Sequence, residues 1–210
     1  MSADSYPSGD RSGVRGLLLC GGTATRFGSD KLLALPPVSA GAPAPGESLV
    51  EMAARNLIAG AGNALAVIRP GAHKLRATLE RAGCSVVESR NCERGIGESL
   101  AAAVAASRDA AGWVVALGDM PVVRPATIEA VRAQLEIGAL IAAPLNPVSG
   151  ERGHPVGFAS TLREELLALR GDIGARAIIA RHHDELVPVP VDDPGIFLDI
   201  DAPGDIEKVI

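Results

Sequence analysis

Two kinds of segment in this chain carry side chains able to do chemistry on a charged small molecule. The first is the string Leu19-Cys20-Gly21-Gly22-Thr23-Ala24-Thr25-Arg26-Phe27-Gly28-Ser29-Asp30-Lys31, which follows directly on an apolar run. Paired glycines let the backbone approach a ligand closely and turn N–H groups towards phosphate oxygens. Arg26 and Lys31 add two positive charges to this one loop, in a chain whose net charge is −5. Such a loop holds a triphosphate and stabilises the charge that grows on departing pyrophosphate. The two commoner phosphate motifs do not apply. GxxxxGK[ST] fails because Gly28 is followed by Ser29 and Asp30, and the string does not read GxGxxG either.

The second kind is acidic. Gly118-Asp119-Met120-Pro121 follows the apolar run Trp113–Leu117, and Asp199-Ile200-Asp201-Ala202-Pro203 closes a later one. A carboxylate at the carboxyl end of a strand faces the crevice where open α/β sheets bind ligands. Mg²⁺ takes oxygen ligands, typically one or two carboxylates plus substrate phosphates. Alternation along a strand puts Asp199 and Asp201 on one side and Ile200 on the other. Taken singly, each Asp reads first as a turn or capping residue, Asp201 for a helix starting near Pro203. Their shared position at strand ends makes Asp119, Asp199 and Asp201 candidate metal ligands.

The elements that must position these residues alternate in type. Short apolar runs predict strands at Val14–Cys20, Ala64–Ile68, Ser85–Val87, Trp113–Leu117 and Ala139–Ala143. Amphipathic stretches predict helices at Ser48–Ala59, Lys74–Ala82, Ser99–Arg108 and Pro125–Ile137. Beyond residue 145 the pattern loosens: strands are expected at His154–Phe158, Leu186–Val191 and Ile196–Ile200, and helices at Leu162–Leu169, Ala175–Arg181 and from Pro203. This is the order of βαβ units, hence one α/β domain over residues 14–210 with a mostly parallel central sheet flanked by helices. Residues 1–13, polar and rich in Ser, Gly and Asp, read as a loose tail, and the proline-rich stretch Pro36–Gly46 as a surface loop.

Composition narrows the classes. At 210 residues there is room for one sizeable core. Aromatics are only 2% against 47% hydrophobic, so that core is aliphatic. The acidic balance argues against a nucleic-acid partner. No apolar run approaches the roughly 18 residues that span a bilayer. Cys20, Cys84 and Cys92 lack metal-ligand or CxxC spacing, which with no export signal implies reduced thiols and a cytoplasmic setting.

The glycine-rich string resembles the LAxGxSxRxGxxK signature of the MobA-like NTP transferases, the family containing molybdenum cofactor cytidylyl- and guanylyltransferases. The resemblance implies a Rossmann-like nucleotidyltransferase fold and nucleotide binding by Leu19, Gly21, Gly22, Arg26 and Lys31. Ala24 stands where the family has Ser. GDMP and the Asp199–Pro203 string resemble the family's Mg²⁺-binding GDMP and DIDTPED elements, with Ala202 and Gly204 replacing Thr and Glu. Asn91–Leu100 resembles GxGxSL, which brings Ser99 to the nucleotide. Arg152-Gly153-His154-Pro155 matches RGHP, and Gly171–Arg176 matches GDxGAR, which assigns His154, Asp172 and Arg176 to the acceptor. The likeness extends from about residue 14 to 208.

The expected reaction is transfer of a nucleoside monophosphate from CTP or GTP to the phosphate of a molybdopterin-type acceptor, with Arg26, Lys31 and Asp119 catalytic and Mg²⁺ as cofactor. A phosphate monoester has a second pKa of about 6, so it is already nucleophilic at neutral pH and needs no protein base. The RGHP, GDxGAR and DIDxP elements favour CTP. Gly21 points the other way, since guanylyltransferases of the family read LAGG and a missing methyl leaves room for a purine. A transferase of the same fold acting on a sugar or polyol phosphate is an alternative. So is a non-catalytic nucleotide-binding protein that delivers cofactor to a recipient molybdoenzyme.

Overall fold

The computed structural model describes residues 13–21, 31–36, 46–202, 204, 205 and 207. Gly22, Arg26, Pro203, the tail before Gly13 and most of the Pro36–Gly46 loop lie outside the described residues.

Four parallel strands form the first part of the sheet: β1 (Val14–Leu19), β2 (Leu65–Ile68), β3 (Ser85–Glu88) and β4 (Gly112–Leu117). β5 (Ile141–Leu145), β6 (Val156–Ala159) and β7 (Leu186–Pro190) complete it in the order β3-β2-β1-β4-β6-β5-β7. Only β6 runs antiparallel to its neighbours. The mostly parallel α/β sheet expected from the alternating pattern is therefore present.

Strands covered on both faces must be apolar on both. Leu18 and Val114 enter one core, under α1 (Leu49–Ala61), α2 (His73–Arg81) and α4 (Pro125–Glu136). Their strand neighbours Leu17, Leu19, Trp113 and Val115 enter the other. That second core lies under α3 (Ile96–Ala106), α5 (Arg163–Leu167) and α6 (Arg176–Arg181). Small side chains in the helices, such as Ala53, Ala54 and Ala103, bring them close to the sheet. Among the described residues no helix is long and apolar enough to cross a membrane.

The chain runs β1 to β3 in one direction and then crosses back, so β1 has β2 on one side and β4 on the other. That reversal opens a crevice at the strands' carboxyl ends. Register sets its width: Leu19 lies opposite Leu117, and the Gly118 N–H donates to the Leu19 carbonyl at 3.0 Å.

Three expectations are corrected. The strand at Ile196–Ile200 is instead a 3-10 turn over Pro194–Phe197, followed by chain outside the sheet. Pro194 cannot donate to a ladder, and the Gly195 N–H is held by its neighbour Asp193 at 3.0 Å. Asp199 and Asp201 are thus not on one face of a strand. α3 starts at Ile96, a turn before Ser99, because Gly95 and Gly97 pack backbone to backbone on a later segment instead of breaking the helix. β6 starts at Val156, not His154, whose N–H is taken by the Ile196 carbonyl at 3.0 Å.

Asp193 was not singled out in the sequence, yet it is 3% exposed and holds this region together. One oxygen accepts from the Arg124 N–H at 2.9 Å and the Thr127 hydroxyl at 2.6 Å, capping α4 from a distant loop. The other closes the turn at Gly195. Asp193→Ala strands buried donors and should cost about 2–4 kcal/mol in urea unfolding. A loss below about 0.5 kcal/mol, as for an ordinary surface change, contradicts this role.

Candidate active site

The two loops that leave β1 and β4 lie side by side. Gly118 is required there, because a Cβ on it would stand 2.9 Å from the Cys20 sulfur. Asp119 follows, in a turn closed by the Met120 N–H and the Leu117 carbonyl at 3.2 Å. The Asp119 carbonyl then accepts from the Ile200 N–H at 3.0 Å. That single bond carries Asp199 and Asp201 to the head of β4 without any strand pairing.

Lys31 re-enters from the glycine-rich loop on the short turn Lys31–Leu33. Its ammonium donates to Asp119 Oδ2 at 2.9 Å and to Asp201 Oδ1 at 3.1 Å. The lysine side chain is 11% exposed, Asp119 27% and Asp201 61%. Burial pushes the Lys31 pKa down, but hydrogen bonds and charge from Asp119, then Asp201, outweigh it, and the net shift is upward. Asp199 is pushed up, first by burial and further by the charges of Asp201 and Asp119, against a lowering by its own backbone N–H.

This geometry tests whether a divalent metal fits. Asp119 and Asp201 already converge on one cation, and the ammonium stands in for it. Among the described residues no three His, Cys, Asp or Glu side chains form a complete metal cage. Two carboxylates with the remaining positions left to phosphates and water are what Mg²⁺ uses in phosphoryl-transfer sites. The residues fit the ion.

Gly21 is buried, and its missing side chain has a local cause. A Cβ there would lie 2.6 Å from Cys92 Cβ and 2.7 Å from Ser99 Oγ. The room that glycine leaves is filled by protein, so its bearing on base size disappears. Ser99 is 2% exposed and donates its hydroxyl to the Gly95 carbonyl at 3.2 Å. It supports the glycine loop from behind.

Beyond the acidic cluster lies a cavity of about 710 Å³, bounded by Leu19, Val115, Leu117, Val156 and Phe158 from the sheet. Its polar lining is Arg152, His154, Asp172, Arg176 and Asp199. Ile96, Ile173 and Phe197 line it while remaining exposed, which places them at the mouth. Burial pushes His154 down, the charge of Asp119 opposes and Arg176 reinforces, so the net shift leaves the ring neutral at pH 7. Its Nδ1 is buried without a hydrogen-bond partner. Arg152 and Arg176 form no ion pair with another described residue.

The structure thus gathers Leu19, Gly21, Lys31, Ser99, Asp119, His154, Asp172, Arg176, Asp199 and Asp201 at one end of the sheet, while Gly22 and Arg26 fall outside the described residues. Sequence reading quoted Arg152 within RGHP without giving it a role, and it missed Phe197. The pairing of Lys31 with two aspartates had no local signal.

The family model of the MobA-like NTP transferase domain matches residues 16–186. No curated protein matches the chain. Among solved structures, Rv0371c from Mycobacterium tuberculosis H37Rv is similar at 25% identity and a TM-score of 0.75, covering 95% of this chain and 98% of that one. A manganese complex of the same protein gives 24% identity and 0.72, covering 93% and 97%. A nucleotidyl transferase from Methanothermobacter gives 20% identity and 0.73, covering 93% and 95%, a likeness of fold. Matched over most of its length, with Gly21, Lys31 and the acidic cluster at the switch point of the expected sheet, the chain belongs to the MobA-like NTP transferase family.

Proposed function

We propose that this nucleotidyltransferase moves CMP from CTP to the phosphate of molybdopterin, with release of pyrophosphate. The observation that carries the reading is the convergence of Asp119 and Asp201 on one cation position, at the edge of a cavity lined by two guanidinium groups that form no ion pair among the described residues. The walls of that cavity are apolar and its hydrogen-bonding groups few, which suits the faces and edge of a flat heterocycle. Arg152 and Arg176 suit an acceptor phosphate, because a guanidinium meets phosphate oxygens in a two-pronged geometry. The RGHP and GDxGAR elements resemble the cytidylyl branch. With Gly21 explained by Cys92, no residue among those considered speaks for a purine.

Asp119 and Asp201 would hold Mg²⁺, which when bound neutralises charge on the α-phosphate. The acceptor phosphate oxygen attacks the α-phosphorus as the bond to the bridging α–β oxygen breaks, and pyrophosphate carries off the electron pair. Arg152 and Arg176 align the attacking dianion, a positioning effect. Lys31, displaced from between the carboxylates, meets the phosphates of the nucleotide, together with Arg26. No proton need pass to His154, because the attacking phosphate dianion has none to give.

Purified protein with molybdopterin and either triphosphate tests this through pyrophosphate release. The kcat/KM for CTP should exceed that for GTP by about tenfold or more, and a clear preference for GTP overturns the base assignment. Asp119→Asn should lower turnover at least about a hundredfold at an unchanged melting temperature. Near-normal activity of that variant in Mg²⁺ would remove Asp119 from the metal. Lys31→Met should cut kcat/KM for CTP yet tighten Mn²⁺ binding by the nucleotide-free protein, read by loss of the free-ion EPR signal. Unaltered Mn²⁺ affinity would show that the lysine and the metal do not share a place.

A further inference from the structure

The segment that opens α3 and the turn Gly171–Ile173 are far apart in sequence yet meet without a gap. Glu98 Oε2 accepts a hydrogen bond from the Gly171 N–H at 2.6 Å, across 73 positions. Gly95 stands at φ +134, where side chains rarely go, and a Cβ on it would lie 2.4 Å from the Gly171 carbonyl carbon and 2.5 Å from Asp172 Oδ1. A Cβ on Gly97 would lie 2.8 Å from the Gly171 oxygen. These contacts, with the Gly171 backbone and the Asp172 side chain, leave no slack. The same helical turn reaches Gly21 through Ser99. One turn of α3 therefore touches both Gly21 and the turn that carries Asp172 and leads into Arg176.

We propose that Glu98 is a positioning residue for the acceptor: its carboxylate clamps the Gly171–Ile173 turn to α3 and so sets Asp172 and Arg176 at a fixed distance from the nucleotide. This rests on the nucleotidyl-transfer reading above. A carboxylate bound to a backbone N–H is among the stronger hydrogen bonds of a protein. The helix that begins at Arg176 has only six residues and enters the core through Ile178, so the turn before it sets where its first residue, Arg176, stands. In-line transfer tolerates little error in placement, and a shift of about 1 Å costs roughly a hundredfold in rate.

The test compares Glu98→Ala and Glu98→Gln with the unaltered protein. Hydrogen exchange at the amides of residues 170–174 reads the clamp directly, and equilibrium dialysis reads molybdopterin and CTP binding separately. Glu98→Ala should speed exchange across that turn and weaken molybdopterin binding about tenfold or more, with CTP affinity within about twofold. Glu98→Gln keeps an acceptor for the Gly171 N–H but not the charge near the helix start, and should restore most of both. Unchanged exchange in Glu98→Ala, or CTP affinity falling as much as that for molybdopterin, overturns the clamp. Absence of pyrophosphate release by the unaltered protein would instead overturn the proposed reaction, with the exchange and dialysis results still deciding the clamp.

Discussion

Everything at this site depends on a positive charge between Asp119 and Asp201. Two carboxylates brought together repel unless a cation joins them or one takes a proton. In the nucleotide-free protein Lys31 meets that need, at 2.9 and 3.1 Å, from a side chain that is largely buried. Asp199 is not one of the two carboxylates that Lys31 joins, and burial with the charges of Asp201 and Asp119 pushes its pKa upward. A divalent ion placed between the same oxygens would satisfy the charge more fully and free the lysine for the phosphates. Lys31 is in this sense a counter-ion that keeps the carboxylates in place before substrate arrives.

The fold supplies this arrangement by joining segments that are far apart in sequence. The pairing of Leu19 with Leu117 aligns the ends of β1 and β4, and Gly118 allows the two loops to touch. Asp193 fixes the start of α4 and the turn at Gly195, and from there the chain returns to the Asp119 carbonyl through Ile200. The cavity then forms between the sheet and α3 and α6, with Arg152 and Arg176 in its lining. In the proposed reaction, nucleotide and acceptor would be held by different segments that share one wall, the first turn of α3.

Much of the architecture was legible in the sequence because it rests on local pattern. Leu65–Ile68 and Gly112–Leu117 are short apolar runs between glycine-, proline- or alanine-rich helices, and both strands lie within a residue of where the pattern put them. What failed was set by distant contacts. The pattern opened the third helix only at Ser99, yet it starts at Ile96, and Gly95 and Gly97 leave room for Gly171, which presses on them. Ile196–Ile200 has the apolar alternation of a strand, but Pro194 and the hold of Asp193 on Gly195 turn it out of the sheet. Gly21 suggested space for a base, and the space belongs to Cys92 and Ser99. Lys31 and Asp201 lie 170 positions apart, and opposite charge alone does not reveal such a pair.

The central claim is that one position, between Asp119 and Asp201, passes from the ammonium to a metal ion when nucleotide binds. The most direct measurement is a crystal structure with Mn²⁺ and a non-hydrolysable CTP analogue, with the ion located by its anomalous scattering. The account predicts a manganese peak bonded to oxygens of both Asp119 and Asp201, with the Lys31 ammonium moved onto a phosphate. A peak that engages neither carboxylate, or Lys31 still paired with both aspartates beside bound nucleotide, would contradict it.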